Sequence, residues 1–203
     1  MKKRDFLSTA MTLLLGVSAT STSASASTLV RTASGNKPDA QTILTVTGAI
    51  EKTNRGKIDP MMDQLMHKQG ILFDYAFQFA LADLEKLPVA TINPTLEYDA
   101  RAHKLSGPRL MDVLNAVGIK KGHPTKIVFH GVDGYSPEIT VALAQKYNFI
   151  LATHIDDQLL PIGGFGPLFA IYDADRIPEM AQKPLDQRFA HCPWGLYCIQ
   201  IVK

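Results

Sequence analysis

From Leu105 to the C-terminus, short apolar and β-branched runs are separated by loops that carry Gly and Pro at fixed places. Ser106-Gly107-Pro108-Arg109-Leu110 opens a helical pattern, and Asp133-Gly134-Tyr135 follows the run Lys126-Ile127-Val128-Phe129-His130. Gly163-Gly164-Phe165-Gly166-Pro167 then leads into Leu168-Phe169-Ala170-Ile171-Tyr172. Gly punctuates a chain because it reaches positive φ, and Pro because it lacks a backbone donor. Strands interrupted by short helices without regular alternation predict an α+β domain with a mixed sheet, not a doubly wound one.

The best-signalled helix spans Pro108 to Val117. Leu110, Val113, Leu114 and Val117 recur at helical spacing, Pro108 suits a first turn, and Gly118 supplies the stop. Ile43 to Gly48 reads as an opening strand, Pro60 to Gly70 as a short Met-rich helix, and Ala80 to Leu87 as a helix stopped by Pro88. Glu138 to Val141 is read as a strand and Ala142 to Tyr147 as a turn of helix. Phe149 to Ala152, Leu168 to Tyr172 and Leu196 to Val202 are read as further strands.

The N-terminus reads as an export signal. Lys2-Lys3-Arg4 is a basic start, Phe6 to Val17 an apolar run too short to span a bilayer, and Ala24-Ser25-Ala26 a small-x-small cleavage pattern. Lys3-Arg4-Asp5-Phe6-Leu7 also resembles a twin-arginine signal with Lys in the first Arg place, which favours the general secretory route. The expected organisation is a signal peptide at 1–26, a loose Ser/Thr/Ala/Gly leader at 27–42 and one domain at 43–203. Of the 21 basic and 19 acidic residues, the signal holds three and one, so the mature chain is formally neutral. Nucleic acid is therefore not an expected partner, since that needs clustered excess Lys and Arg.

Cys192 and Cys198 are the only cysteines. Six residues of extended strand separate the sulfurs by ~20 Å, and a disulfide needs Cα atoms about 6 Å apart. A bridge thus requires Pro193-Trp194-Gly195 to fold the chain back; otherwise both are buried thiols.

The loop order, closed by Trp194-Gly195-Leu196, resembles the molybdopterin-binding domain of the sulfite oxidase superfamily in a small, single-domain periplasmic form, over about residues 43–202. The resemblance implies the mixed-sheet fold of that domain. In the superfamily's molybdenum enzymes a cysteine just upstream of the Gly-Pro-Arg-Leu helix ligates the metal. Here Thr91-Ile92-Asn93-Pro94-Thr95-Leu96-Glu97-Tyr98 holds no sulfur. Thr or Asn cannot replace a soft thiolate electronically.

The glycine loop is the strongest candidate for ligand contact. Gly164, Phe165, Gly166 and Pro167 allow a ring to approach the backbone, although a flexible connection explains the glycines equally. Phe165 stands where short relatives commonly carry a basic residue, so a molybdopterin phosphate loses a counter-charge. Asp133 and Gly134 suit a tight turn, while Tyr135 and His130 offer a stacking ring and a polar partner for a flat heterocycle. His191 replaces the Arg that related domains carry before the Trp, which favours a neutral ring over a phosphate. Trp194 is read as core anchor and pocket wall alike.

No His-x-His or His-x3-His spacing points to zinc, and adjacent His191 and Cys192 are poorly placed to share one ion. Ser106, Ser136 and Cys192 have no nucleophile elbow around them. Two functions compete. Some short members of the superfamily are similar to this chain and act as pterin-responsive regulators of membrane enzymes that make or degrade cyclic di-GMP. That implies a non-catalytic periplasmic protein binding a molybdenum-free pterin. The other reading is a molybdopterin oxidoreductase whose metal is held without the usual cysteine, or by Cys192. A ligand-free adaptor is a third, weaker one.

Overall fold

The computed structural model describes residues 41–119 and 126–202. The predicted signal peptide and its cleavage site lie outside the described residues, as does most of the leader. In chain order the elements are β1 (Thr42–Gly48), α1 (Gln64–Lys68), β2 (Ala76–Ala80), α2 (Leu81–Leu84), β3 (Val89–Ile92) and β4 (Leu105–Pro108). There follow α3 (Leu110–Val117), β5 (Lys126–Gly131), β6 (Glu138–Thr140), α4 (Val141–Lys146) and β7 (Ile150–Ala152). The chain closes with β8 (His154–Ile155), β9 (Gln158–Leu159), β10 (Phe169–Ile171), α5 (Pro178–Ala181) and β11 (Leu196–Val202).

The main sheet has the order β2-β1-β11-β5-β6. β1 and β11 run parallel, with Val46 opposite Ile199, whereas the other neighbours are antiparallel. The sheet is therefore mixed, as the pattern of runs predicts. Alternation along the two central strands buries both faces. Leu44, Val46, Ile199 and Ile201 face the main core, and Cys198 faces a smaller cluster with Ile58, Met66, Ile71, Phe73 and Ala76. A second sheet, β3-β4-β8-β9, and the pair β7/β10 complete the fold.

Helix α3 carries its apolar stripe into the core, with Leu110, Val113, Leu114 and Val117 all fully buried. Its start differs from the prediction. Pro108 ends β4 opposite Val89, and the helix begins at Leu110, whose N–H is taken by Phe149 O at 2.8 Å. Pro at the last strand position loses no ladder bond from an absent N–H. The predicted helix at Ala80–Leu87 shortens to Leu81–Leu84 because Ala80 pairs with Thr42 in the sheet. The Met-rich helix likewise shrinks to Gln64–Lys68. The strand predicted over Glu138–Val141 ends at Thr140, whose hydroxyl caps α4 by accepting from Leu143 N at 3.0 Å.

Candidate functional site

Three segments meet at one cleft. The loop after β3 supplies Glu97 and Tyr98, the turn after β5 supplies Asp133 and Tyr135, and the stretch before β11 supplies Asp186, Phe189, Ala190, Cys192, Pro193 and Trp194. The cavity is about 230 Å³. Asp133, Tyr135 and Trp194, read from sequence as one site, are brought together here.

Local geometry fixes each wall. Asp133 Oδ1 accepts from Tyr135 N at 3.0 Å, and Gly131 N donates to Tyr135 O at 2.9 Å, closing the turn. The Tyr135 hydroxyl donates to Ala190 O, joining that turn to the opposite wall, while its ring stays 48% exposed. Val132 N donates to Gly195 O at 2.9 Å, which sets the turn beside Trp194. Beneath, Tyr172 is buried against Phe149, centroids 4.9 Å apart, and its hydroxyl donates to Arg188 O. Trp194 packs on the main core and also faces the cleft, so it fills both predicted roles.

The electrostatics are one-sided. Glu97, Asp133 and Asp186 line the cleft, and none of its lining residues is basic. Burial, reinforced by Glu97, raises the Tyr98 pKa; burial, then Cys192 and Asp133, raises that of Tyr135. Both phenols therefore stay protonated as donors. Cys192 is 5% exposed, and burial pushes its thiol well above the ordinary range. Among the described residues no three His, Cys, Asp or Glu side chains converge to hold an ion.

The other predicted residues fall elsewhere. His130 lies in β5 opposite Cys198, only 7% exposed, with Nδ1 3.1 Å from Ser136 Oγ. Burial lowers its pKa, opposed by Gln200. It does not line the cleft. The glycine loop closes on itself, because Gly164 N and Gly166 N both donate to Pro161 O at 3.0 Å. These donors are spent inside the loop and are not aimed at a ligand. Gly166 precedes a cis Pro167. None of Gly164, Phe165, Gly166 and Pro167 lines the cleft; the Phe165 ring packs against Tyr98 at 5.1 Å and stacks on Phe169 at 5.4 Å. His191 is exposed between Ala190 and Cys192, at the rim but not on the wall.

Cys192 and Cys198 are free thiols, one in the main core and one in the cluster on the outer sheet face. Sequence reading passed over Glu97, Tyr98, Asp186 and Phe189 as wall residues. Glu97 and Tyr98 carry a signal, since they sit in the segment where a ligand cysteine was sought. Asp186 and Phe189 carry none. Larger clefts of about 450 and 340 Å³ lie at Thr47–Tyr75 and beside His154; the second is lined in part by Ser106, Gly107 and Pro108 of the predicted loop, and neither contains a residue predicted to bind the pterin.

The topology is that of an α+β domain with a mixed sheet, compatible with the fold expected from the sequence. The crystal structure of the sulfane dehydrogenase SoxCD from Paracoccus pantotrophus is similar to it, with a TM-score of 0.51 at 13% identity. The match covers 78% of this chain and 37% of that one, so the chain spans little more than a third of its neighbour's length, and the likeness is one of fold. No family model matches the chain, and no curated protein matches it.

Proposed function

We propose that the protein is a binding module for a metal-free pterin, held in the cleft between Tyr98, Tyr135 and Trp194. The observation that supports this most is the lining itself: aromatic side chains and three carboxylates, with no cation. A pterin's 2-amino and ring N–H groups form a donor edge that a carboxylate accepts well, while its flat bicycle stacks on aromatic rings.

The residues present do not fit a molybdopterin cofactor. Its phosphate would face Glu97, Asp133 and Asp186 without a counter-charge, and Cys192 is held as a neutral thiol, not the thiolate a metal needs. No catalytic step is assigned. The resemblance read from sequence extends the proposal to export into the periplasm and to regulation of a membrane enzyme of cyclic di-GMP metabolism, with the pterin as signal.

Trp194 is the chain's only tryptophan, so binding has an intrinsic reporter. Titration with tetrahydropterin is expected to quench its emission saturably. Tyr135→Ala is expected to weaken binding by about 1 kcal/mol through lost ring packing, whereas His67→Ala, far along α1, leaves it unchanged. Absence of saturable quenching in the folded protein refutes the pterin reading. Stoichiometric molybdenum in purified protein, lost on Cys192→Ser, favours the oxidoreductase instead.

A further inference from the structure

The loop between β3 and β4 carries Glu97 and Tyr98 to the cleft, and its own hydrogen bonds shape it as a small hairpin. Thr95 bridges Ala102, Leu96 N donates to Arg101 O at 2.9 Å, and Ala100 sits at a φ of 57°. Where the loop returns to β4, the His103 imidazole lies between two carboxylates. Nδ1 is 2.7 Å from Asp156 Oδ2 and Nε2 is 3.0 Å from Asp99 Oδ2. Asp99 belongs to the hairpin, whereas Asp156 belongs to the turn between β8 and β9, where it also accepts from Lys104 N at 3.0 Å.

Both ring nitrogens therefore face acceptors. Carboxylates have no proton to give, so each bond requires an N–H on the ring, and only the imidazolium has two. A neutral ring keeps one bond and turns a lone pair toward the other carboxylate. We infer that His103 is a positioning residue of the cleft: its imidazolium straps the Glu97–Tyr98 hairpin to the β8–β9 turn and releases it on losing a proton.

The charged groups around the ring support this. Asp99 and Asp156 bond to it directly, Arg101 acts on Asp99, and Lys104 is occupied by Asp157 at 2.7 Å. The ring's pKa is raised, first by Asp156, then by Asp99, against a smaller opposing effect of burial. Both aspartates are lowered, chiefly by the bond to His103. The sign follows. A raised histidine pKa gives stabilisation that is complete below the unfolded value and lost as pH rises through the folded one. Lowered aspartate values give stabilisation lost as pH falls through theirs. The strap is closed between those limits and opens on the alkaline side.

This inference rests on the cleft being the binding site, but its test needs no ligand. Trp194 stands against Tyr98, whose hydroxyl is within reach of the indole N–H, so hairpin release exposes the indole. Acrylamide quenching of Trp194 in the intact protein is expected to rise about two-fold from pH 6 to pH 9 as the hairpin opens locally. In His103→Gln quenching is expected to be high and independent of pH, and in Asp156→Asn the midpoint moves to lower pH. His67→Gln keeps the native titration. A flat native profile, or an unchanged titration in His103→Gln, overturns the strap. Should His103→Gln fail to fold, nitrogen NMR of the native ring decides: two protonated nitrogens at pH 6 are expected, and a neutral tautomer there overturns the inference.

Discussion

Arg188 and Asp175 form a 2.7 Å ion pair that ties the two sides of the cleft together. Asp175 Oδ2 accepts from Thr95 N at 2.7 Å, two residues before Glu97, and its Oδ1 holds Arg188, which directly precedes Phe189 and Ala190. The rest of the guanidinium is used as well: Nε donates to Lys183 O at 2.9 Å and Nη2 to Ala181 O at 2.8 Å. A planar fork reaches three acceptors in different directions, which an ammonium on a flexible stem does not. One side chain thus closes off α5 and aligns the wall that follows it.

Arg188→Ala is expected to cost about 2–3 kcal/mol, because it removes a partly buried charge-assisted bond and leaves two carbonyls short of a donor. Arg188→Lys is expected to recover less than half of that loss. Urea unfolding of the three proteins measures both. A negligible loss in Arg188→Ala would mean that the pair behaves as a screened surface contact.

Two glycines of the predicted loops carry different constraints. A Cβ on Gly107 would lie 2.0 Å from Leu151 O, a backbone atom that cannot yield without moving β7. Gly134 has a φ of +87° but open space around it. Gly107→Ala is therefore expected to prevent folding or cost more than ~3 kcal/mol by overpacking, and Gly134→Ala only about 1 kcal/mol from the left-handed backbone. Thermal denaturation of the pair separates close approach from conformational strain.

That difference bears on how far the fold was legible. The long apolar runs were readable because burial sets their period: β1, β5, β11 and α3 lie within two residues of their predicted places. β3 and the β8–β9 hairpin escaped notice. Val89, Gln158 and Leu159 are exposed, so no alternation marks them, and Asp156 and Asp157 turn the hairpin at positive φ without a glycine to signal it. The site was legible in part. Asp133, Tyr135 and Trp194 were chosen for turn and aromatic chemistry, and they do converge. Gly164 and Gly166 were chosen for free backbone donors, which sequence cannot show to be spent on Pro161. His130 was chosen for closeness in sequence to Tyr135, yet strand alternation puts it in the sheet.

Tyr135 offers a way to separate its ring from its hydroxyl. Tyr135→Phe removes the bond to Ala190 O and keeps the stacking face, so a stability loss of about 0.5–1.5 kcal/mol is expected. Pterin affinity is expected to fall less than in Tyr135→Ala. Equal losses of affinity in the two variants would show that the hydroxyl, by holding the Ala190 wall, matters more than the ring.

The cysteines give a pH prediction with a definite sign. Burial pushes the Cys198 thiol up to about 12 and holds Cys192 well above its ordinary value. In the unfolded chain both ionise near ~8.5. Above that pH the unfolded state has fewer bound protons than the native state, so stability is complete below it and falls as pH rises toward 12. Urea midpoints measured from pH 7 to 10.5 are expected to decline, and Cys198→Ala is expected to flatten part of that decline despite a lower stability at pH 7. A thiol reagent at pH 8 is expected to label neither cysteine in the native protein and both in denaturant. Rapid native labelling of Cys192 would show the cleft floor to be open, and would return that sulfur to consideration as a ligand.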